Sequence, residues 1–371
     1  MVVARRTGIE NYAAALVREL SWLSKEDPAL ELIVYLHGGN PFASADRVRE
    51  ATKMLTTAGV ASRLYSHRRA YGLFLPLRAR LDRVVLLHFL RPTGLRLSTC
   101  PLVVTVHDVR AVGLSQEGQR LEHAHLTSSE KNAIMSAAAI SADSYSARDD
   151  LISYFGADLT APIEVIPLGV DLAYFDARLQ ADAVRKKYGL DRYVLFVGAL
   201  QYRKNLPALV KAFATLKTEH DLPHKLVLAG RDSWGAEQVY AAVRAHRMEN
   251  EVVFPGYIPD DDLPGLYAAA DLFAYPSLHE GFGIPILEAM AAGTVVLTSD
   301  VYSMSEVAGN AAILVNPQDV TSIVTGLQNA LLDNDLRRIC ITKGIERASG
   351  FTWRQTALQT LSLYRRTAGE A

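Results

Sequence analysis

Two glutamates stand at the ends of EGFGIPILE, residues 280–288, around two glycines and a proline. A carboxylate can accept both hydroxyl protons of a diol through strong charge-assisted bonds, so a pair of them on one tight segment is a candidate for chemistry. Pro285 suits the first turn of a helix, and Gly293 after LEAMAA suits its C-terminal stop. Glu288 is then expected on the first helical turn, where exposed N–H groups favour negative charge. The backbone N–H groups of Phe282 and Gly283, next to Gly281, are able to approach a phosphate closely. The preceding DLFAYPS is apolar and strand-like, so the motif occupies a strand–loop–helix turn, where open α/β sheets bind ligands. Arg203 and Lys204 follow another apolar run, YVLFVGAL, and precede a helical pattern. In isolation, such glutamates are more often a helix cap and a solvated loop charge, and such cations a solvated face. The surrounding elements decide.

The chain of 371 residues is long enough for two domains with separate cores. It is 49% hydrophobic and 21% charged with a net charge of −1, ordinary for a soluble globular protein. Residues 1–100 hold 15 Lys/Arg against 8 Asp/Glu, and the remainder is correspondingly acidic. That balance excludes a whole-chain nucleic-acid footprint, while the basic first half suits an anionic lipid or acceptor. Cys100 and Cys340 are the only cysteines, which argues against a disulfide framework or a cysteine zinc site and fits a reducing compartment. The start, MVVARRTGIENY, has no signal-peptide apolar region, and no stretch approaches bilayer-spanning length, so the expectation is a cytoplasmic protein.

Two series of short apolar runs alternate with amphipathic stretches. The second is clearer: YVLFVGAL, KLVLAG, VVFPG, LFAYPS, TVVLTS and AAILV. The first contains ELIVYL, RVVLLHF, PLVVTVHD, AISADS and IEVIPLG. Such alternation predicts mainly parallel sheets covered on both faces. PLGVDLAYFDARLQ suits the linker between them, and FTWRQTALQTLSLYRR reads as a final amphipathic helix. Only MVVA precedes the capping-box pattern Thr7-Gly8-Ile9-Glu10, so the first strand reads as shortened and the chain as starting inside a longer reading frame.

In this order and spacing the motifs resemble the family 4 retaining glycosyltransferases, whose signature is Glu, seven residues, Glu. The resemblance runs through TGIENYAAALVREL, VVTVHDV, VIPLGVD, VGALQYRKNL, PSLHEGFGIPILEAMAAGTVVLTSD and SEVAGNAAILVNPQD, nearly the whole chain. It implies the α/β GT-B architecture, two Rossmann-like domains with parallel sheets facing across a cleft. Residues 1–168 would bind acceptor, 169–350 would bind a nucleotide-sugar donor, and 351–371 would form a C-terminal helix packing back toward the first domain. It implies that Glu288 holds the donor ribose, that Glu280 contacts the donor sugar near the reacting centre, and that Lys204 binds phosphate. Arg203 is the candidate second cation, because the family's arginine after the strand glycine Gly198 is replaced here by Ala199. His107 matches a histidine facing the donor sugar; the alternative is a core histidine satisfied by backbone. Gly8 matches the glycine loop lining the cleft, and Arg231, Tyr257 and Ile258 are expected at the base pocket. The subtype most resembles bacterial polysaccharide mannosyltransferases, with a GDP- or UDP-linked donor, no cofactor, and a saccharide or lipid-linked acceptor.

His123 and His125 lie two apart near Glu122, an arrangement that on a helix does not share a face, and no Asp-x-Asp occurs, so no metal site is expected. No GxGxxG, P-loop or GxSxG motif appears. A phosphorylase-like enzyme would need a much longer chain with a pyridoxal lysine. A catalytically inactive nucleotide-sugar-binding protein is the standing alternative. In SHRRAYGLFLPLRARLDR, residues 66–83, Pro76 could open a short helix on which Leu77 and Leu81 share a face. Two readings are open for it: the leucines pack under RVVLLHF with solvated arginines, or the segment rests on anionic lipid at the inner membrane face.

Overall fold

The computed structural model describes residues 8–27, 29–37, 56, 60–65, 68–92, 99–114, 120–124 and 126–369. MVVA, Thr7 and His125 lie outside these residues, so the shortened first strand and the capping box are not among what is described. Helix Gly8–Glu26 comes first. Strands β1 (Ile33–His37) and β2 (Ala61–Tyr65) pair in parallel. They are followed by β3 (Leu87–Phe89), β4 (Leu102–Val106), β5 (Arg110–Leu114), β6 (Arg120–Ala124), β7 (Ala139–Ala142) and β8 (Ile163–Val165). The order β3-β4-β7-β8 makes a four-stranded parallel sheet, and β5 and β6 pair antiparallel.

The second half contains β9 (Tyr193–Val197), β10 (Lys225–Ala229), β11 (Val252–Gly256), β12 (Leu272–Tyr275), β13 (Val296–Ser299) and β14 (Ile313–Val315). They form a six-stranded parallel sheet in the order β11-β10-β9-β12-β13-β14. Strand order reverses between β9 and β12, which pair through Leu195 and Phe273. Chain connections leave in opposite directions on either side of that point, opening a crevice at the carboxyl ends of the two strands. β12 is buried along its whole length and β9 along all but its last residue, as expected for strands covered on both faces.

The elements end where local chemistry dictates. Gly283, at φ 107°, turns the chain into helix Ile284–Ala291, which has Pro285 in its first turn, and Gly293 at φ 73° follows its end. The RVVLLHF run yields only a three-residue strand. Arg83 takes a left-handed φ of 54°, and the Val84 amide closes back onto the Ala79 carbonyl, so the front of the run terminates the preceding helix. That helix, Arg68–Leu81, contains Pro76 in its interior, a correction to the expectation that Pro76 opens it. His123 and Glu122 belong to β6, not to a helix.

The halves are joined twice. After β8 the chain crosses through two short 3₁₀ turns, Leu172–Tyr174 and Ala177–Gln180. It returns as helix Trp353–Ala368, which packs against helix Gly8–Glu26 and buries Trp353, Ala357, Leu361 and Leu363. The two crossings touch: the Val170 amide donates to the Phe351 carbonyl at 3.0 Å. At Gly169 a side chain would collide with the Trp353 backbone, 2.2 Å away. Among the described residues no helix is long and apolar enough to cross a membrane.

Candidate active site

The reversal point gathers the charged residues singled out in the sequence. Arg203 and Lys204 lie on a 3₁₀ turn after β9, and Glu280 on the loop after β12. The Lys204 ammonium is 2.6 Å from Glu280 Oε1 and also donates to the Tyr275 hydroxyl. The Arg203 guanidinium bonds Glu280 Oε2 and the His279 carbonyl, which is 3.1 Å away. Arg203 thus reaches the carboxylate from a position downstream of Ala199.

Lys204 and Glu280 are buried, and their charges depend on one another. Burial raises the Glu280 pKa, but Arg203 and then Lys204 outweigh it and hold it at about 2. Burial, with help from neighbouring Arg203, pulls the Lys204 ammonium down to about 8 despite Glu280. Arg203 stays protonated beyond its usual range, because Glu280 overcomes its burial. Two cations therefore share one carboxylate, with Asp108 of the first half acting on both, and paired cations of this kind are suited to an anion that takes over from the carboxylate.

Glu288 sits in a different environment. It lies on the second turn of helix Ile284–Ala291, not the first, and is buried among tyrosines. Tyr267 donates to its Oε2 at 2.9 Å, and the Tyr174 hydroxyl bonds it as well. Burial raises its pKa to about 7 against those two bonds. One motif therefore supplies one firmly ionised carboxylate and one that titrates near neutrality.

In the first half, His107 follows β4 and Asp143 follows β7. The His107 Nδ1 lies 2.6 Å from Asp143 Oδ2, and its Nε2 faces the Leu90 carbonyl at 3.0 Å. Both partners are acceptors, so the doubly protonated ring satisfies them; burial opposes this, and Asp143 outweighs it to raise the pKa. The ring is thus held within its own half, while its backbone carbonyl faces the second: a side chain on Gly281 would meet that oxygen at 1.8 Å. His88 bonds Tyr364 and Thr105, and burial lowers its pKa to about 3.

Of the remaining candidates, Gly198, Arg231, Tyr257 and Ile258 follow β9, β10 and β11. At Gly198 a side chain would crowd the Phe196 ring at 3.1 Å and meet Lys204 at 3.7 Å. The Leu200 amide donates to the Arg231 carbonyl, which brings the loops after β9 and β10 together. Arg231 lies 4.7 Å over the Tyr257 ring, and Ile258 is buried. Phe282 is buried edge-on to Phe351, and a side chain on Gly8, at the start of its helix, would meet nothing within 4 Å among the described residues. Tyr275, Tyr267, Tyr174 and Asp143 were not anticipated. Tyr275 lies within the quoted strand run, but its hydroxyl role depends on a neighbour across the sheet. Among the described residues no cluster of three His, Cys, Asp or Glu could hold a metal ion.

The fold, with its two α/β halves and returning C-terminal helix, is GT-B. It superposes on Anabaena Alr3699/HepE in complex with UDP-glucose with a TM-score of 0.70 at 19% identity, covering 98% of this chain and 97% of that one. Residues 6–174 match Glycosyltransferase Family 4, and residues 179–347 match Glycosyl transferases group 1. The chain is 31% identical over 284 residues to a D-inositol 3-phosphate glycosyltransferase of Pseudarthrobacter chlorophenolicus, covering 73% of this chain and 67% of the relative. The chain belongs to glycosyltransferase family 4. It is also 38% identical over 184 residues to O-antigen chain mannosyltransferase B of Escherichia coli, covering 49% of this chain and 48% of that enzyme. The matched region spans about half the length, or less, of the mannosyltransferases found.

Proposed function

We propose that the protein transfers a mannosyl or related hexosyl group from a GDP- or UDP-linked donor to a hydroxyl of a saccharide or lipid-linked acceptor. The anomeric configuration is retained and no metal takes part. The observation that carries this reading is the convergence of Lys204 and Arg203 on Glu280 at the β9/β12 reversal point. The name of the E. coli mannosyltransferase supports the mannosyl group, and the UDP-glucose complex of HepE supports a nucleotide-sugar donor.

In this reading Glu288 accepts the ribose hydroxyls, with Gly198, Arg231, Tyr257 and Ile258 around the base. The diphosphate faces Lys204, Arg203 and the backbone of Gly281, Phe282 and Gly283. The acceptor oxygen bonds to the anomeric carbon as the carbon–phosphate oxygen bond breaks on the same face. The acceptor proton passes to the departing phosphate oxygen, and the two cations hold the charge that accumulates there. Glu280 then orients the sugar hydroxyls, with His107 and Gly8 facing the donor from the first half.

A panel of GDP- and UDP-sugars with saccharide and lipid-linked acceptors, assayed in EDTA, tests the proposal. Release of nucleoside diphosphate with product of retained configuration is expected. Donor binding without turnover on any acceptor would favour the inactive binding protein, and activity lost to EDTA and restored by magnesium or manganese would overturn the metal-free arrangement.

We further propose that helix Arg68–Leu81 docks the first half on an anionic membrane face. Leu75 is fully buried, but Phe74, Leu77, Leu81 and the following Val85 are 49%, 57%, 66% and 61% exposed. Exposed apolar side chains beside basic Arg80 suit a lipid surface better than packing under β3. Cosedimentation with vesicles should require anionic lipid, weaken with salt, and fall when Leu77 and Leu81 become Ser. Recovery in the supernatant with every vesicle at low salt would remove the docking role.

A further inference from the structure

Helix Tyr145–Phe155, in the first half, reaches the second half on both sides of Glu280. Its N-cap, Ser144, accepts from the Ala147 amide at 3.0 Å and donates across the cleft to the Gly281 carbonyl at 2.7 Å. Nearly two turns on, Asp150 Oδ2 meets His279 Nε2 at 3.0 Å, both side chains being buried. The carboxylate of Glu306, on helix Tyr302–Ala308, accepts from the Tyr145 and Ser146 amides at 3.1 and 3.3 Å. Those first-turn amides have no carbonyl of their own helix to bond, and a carboxylate is favoured at that end.

The carbonyls of the Glu280 loop are satisfied one by one. Arg203 bonds the His279 carbonyl, and Ser303 donates to the Glu280 carbonyl at 2.7 Å, both from the same half. Gly281 instead takes its partner, Ser144, from the opposite half, as the His279 ring takes Asp150. Buried polar groups are costly to leave unpaired, so parting the halves would release the loop on either side of Glu280. The fit at this point is tight, because only a glycine lets residue 281 approach the His107 carbonyl.

We propose that Ser144, Asp150 and Glu306 are positioning residues: through them the first half sets the loop that holds Glu280 against Arg203 and Lys204. Catalytic geometry is therefore completed only when the halves meet. The inference rests on the reading of those three charged groups as the donor site, and it adds a requirement that the donor-binding half does not meet alone.

The test uses the full chain carrying both Ser144→Ala and Asp150→Asn. Amide hydrogen exchange over residues 278–283 is expected to accelerate while β9 and β10 exchange as in the wild type. Misplacement of a reacting constellation by about 1 Å costs about 100-fold in rate, so kcat should fall by about that factor. Affinity for UDP or GDP should fall by much less than kcat, because Glu288 and the base pocket are untouched and only the diphosphate contacts of the loop are loosened. Wild-type exchange at 278–283, or an affinity loss as large as the loss of kcat, would overturn the proposal. If protection disappears throughout the double variant, Glu306→Gln decides instead: faster exchange at 278–283 with an intact β9 supports the proposal, and unchanged exchange there overturns it. The exchange result needs no donor, so faster exchange in a chain that binds no nucleotide would sustain the loop's dependence while removing the donor-site reading.

Discussion

At Lys204 the same burial that weakens the ammonium makes its charge effective. Its partner in the free protein is Glu280, whereas in the proposed reaction it is a diphosphate whose charge grows as the bond breaks. Lys204→Ala should therefore lower kcat by roughly 100- to 1,000-fold with a much smaller change in diphosphate affinity. Equal losses in steady-state kinetics and calorimetry would remove that role. Glu288 supplies a pH signature. Its folded pKa, about 7, lies above the ordinary carboxylate value, so the folded state keeps a proton that the unfolded chain releases. The associated stability is present at acid pH and is lost as pH rises through about 7. Ribose hydroxyls need the ionised form, so nucleotide affinity should rise over the same interval, and Glu288→Gln should flatten both dependences. Lys204 loses its proton around pH 8, which gives kcat/KM a falling alkaline limb and hence a narrow bell. A nucleotide affinity indifferent to pH from 6 to 8 would remove Glu288 from the ribose. The glutamate and cation roles were legible because their spacing places them on strand–loop–helix turns. Their tyrosine and aspartate partners were not, since a hydroxyl's use depends on what the fold sets opposite it.

At the scale of elements, helix Trp353–Ala368 behaves as part of the first half. Leu363 is buried with Val103, Ala139 and Ile166, so Leu363→Ala should cost about 2–5 kcal/mol in urea denaturation. Tyr364→Phe should cost about 1–3 kcal/mol, because it strands the Nδ1 of half-buried His88. Denaturation midpoints unchanged by either substitution would mean that the helix only leans on that half. The apolar runs of the second half were legible as strands because each is bounded by turn residues and the inner four, β10, β9, β12 and β13, are buried nearly throughout. The first half was less so: Arg83 turns left-handed and gives the front of RVVLLHF to a helix end, a backbone choice that hydropathy does not encode. The β5–β6 hairpin escaped for the opposite reason. Its strands carry arginines, a glutamate and a histidine, so no apolar alternation marks them.

For the molecule as a whole, Gly281 measures how closely the halves meet. A methyl group there would overlap the His107 carbonyl, so Gly281→Ala should leave each half folded but hold them apart. Solution scattering should show an increased radius of gyration, with activity lost well before thermal stability; a compact, active variant would contradict the closed arrangement. The returning helix has a further consequence, in the order of synthesis. Val103, Ala139 and Ile166 emerge from the ribosome early, but Leu363, which covers them, emerges only after the entire second half. At roughly 5–20 residues per second, the nascent first half carries an uncovered apolar face for on the order of tens of seconds. Completion of the earlier sheet is thus tied to the last helix, and a ribosome stalled within the second half would present a sticky, unfinished surface to whatever chaperone waits at the exit.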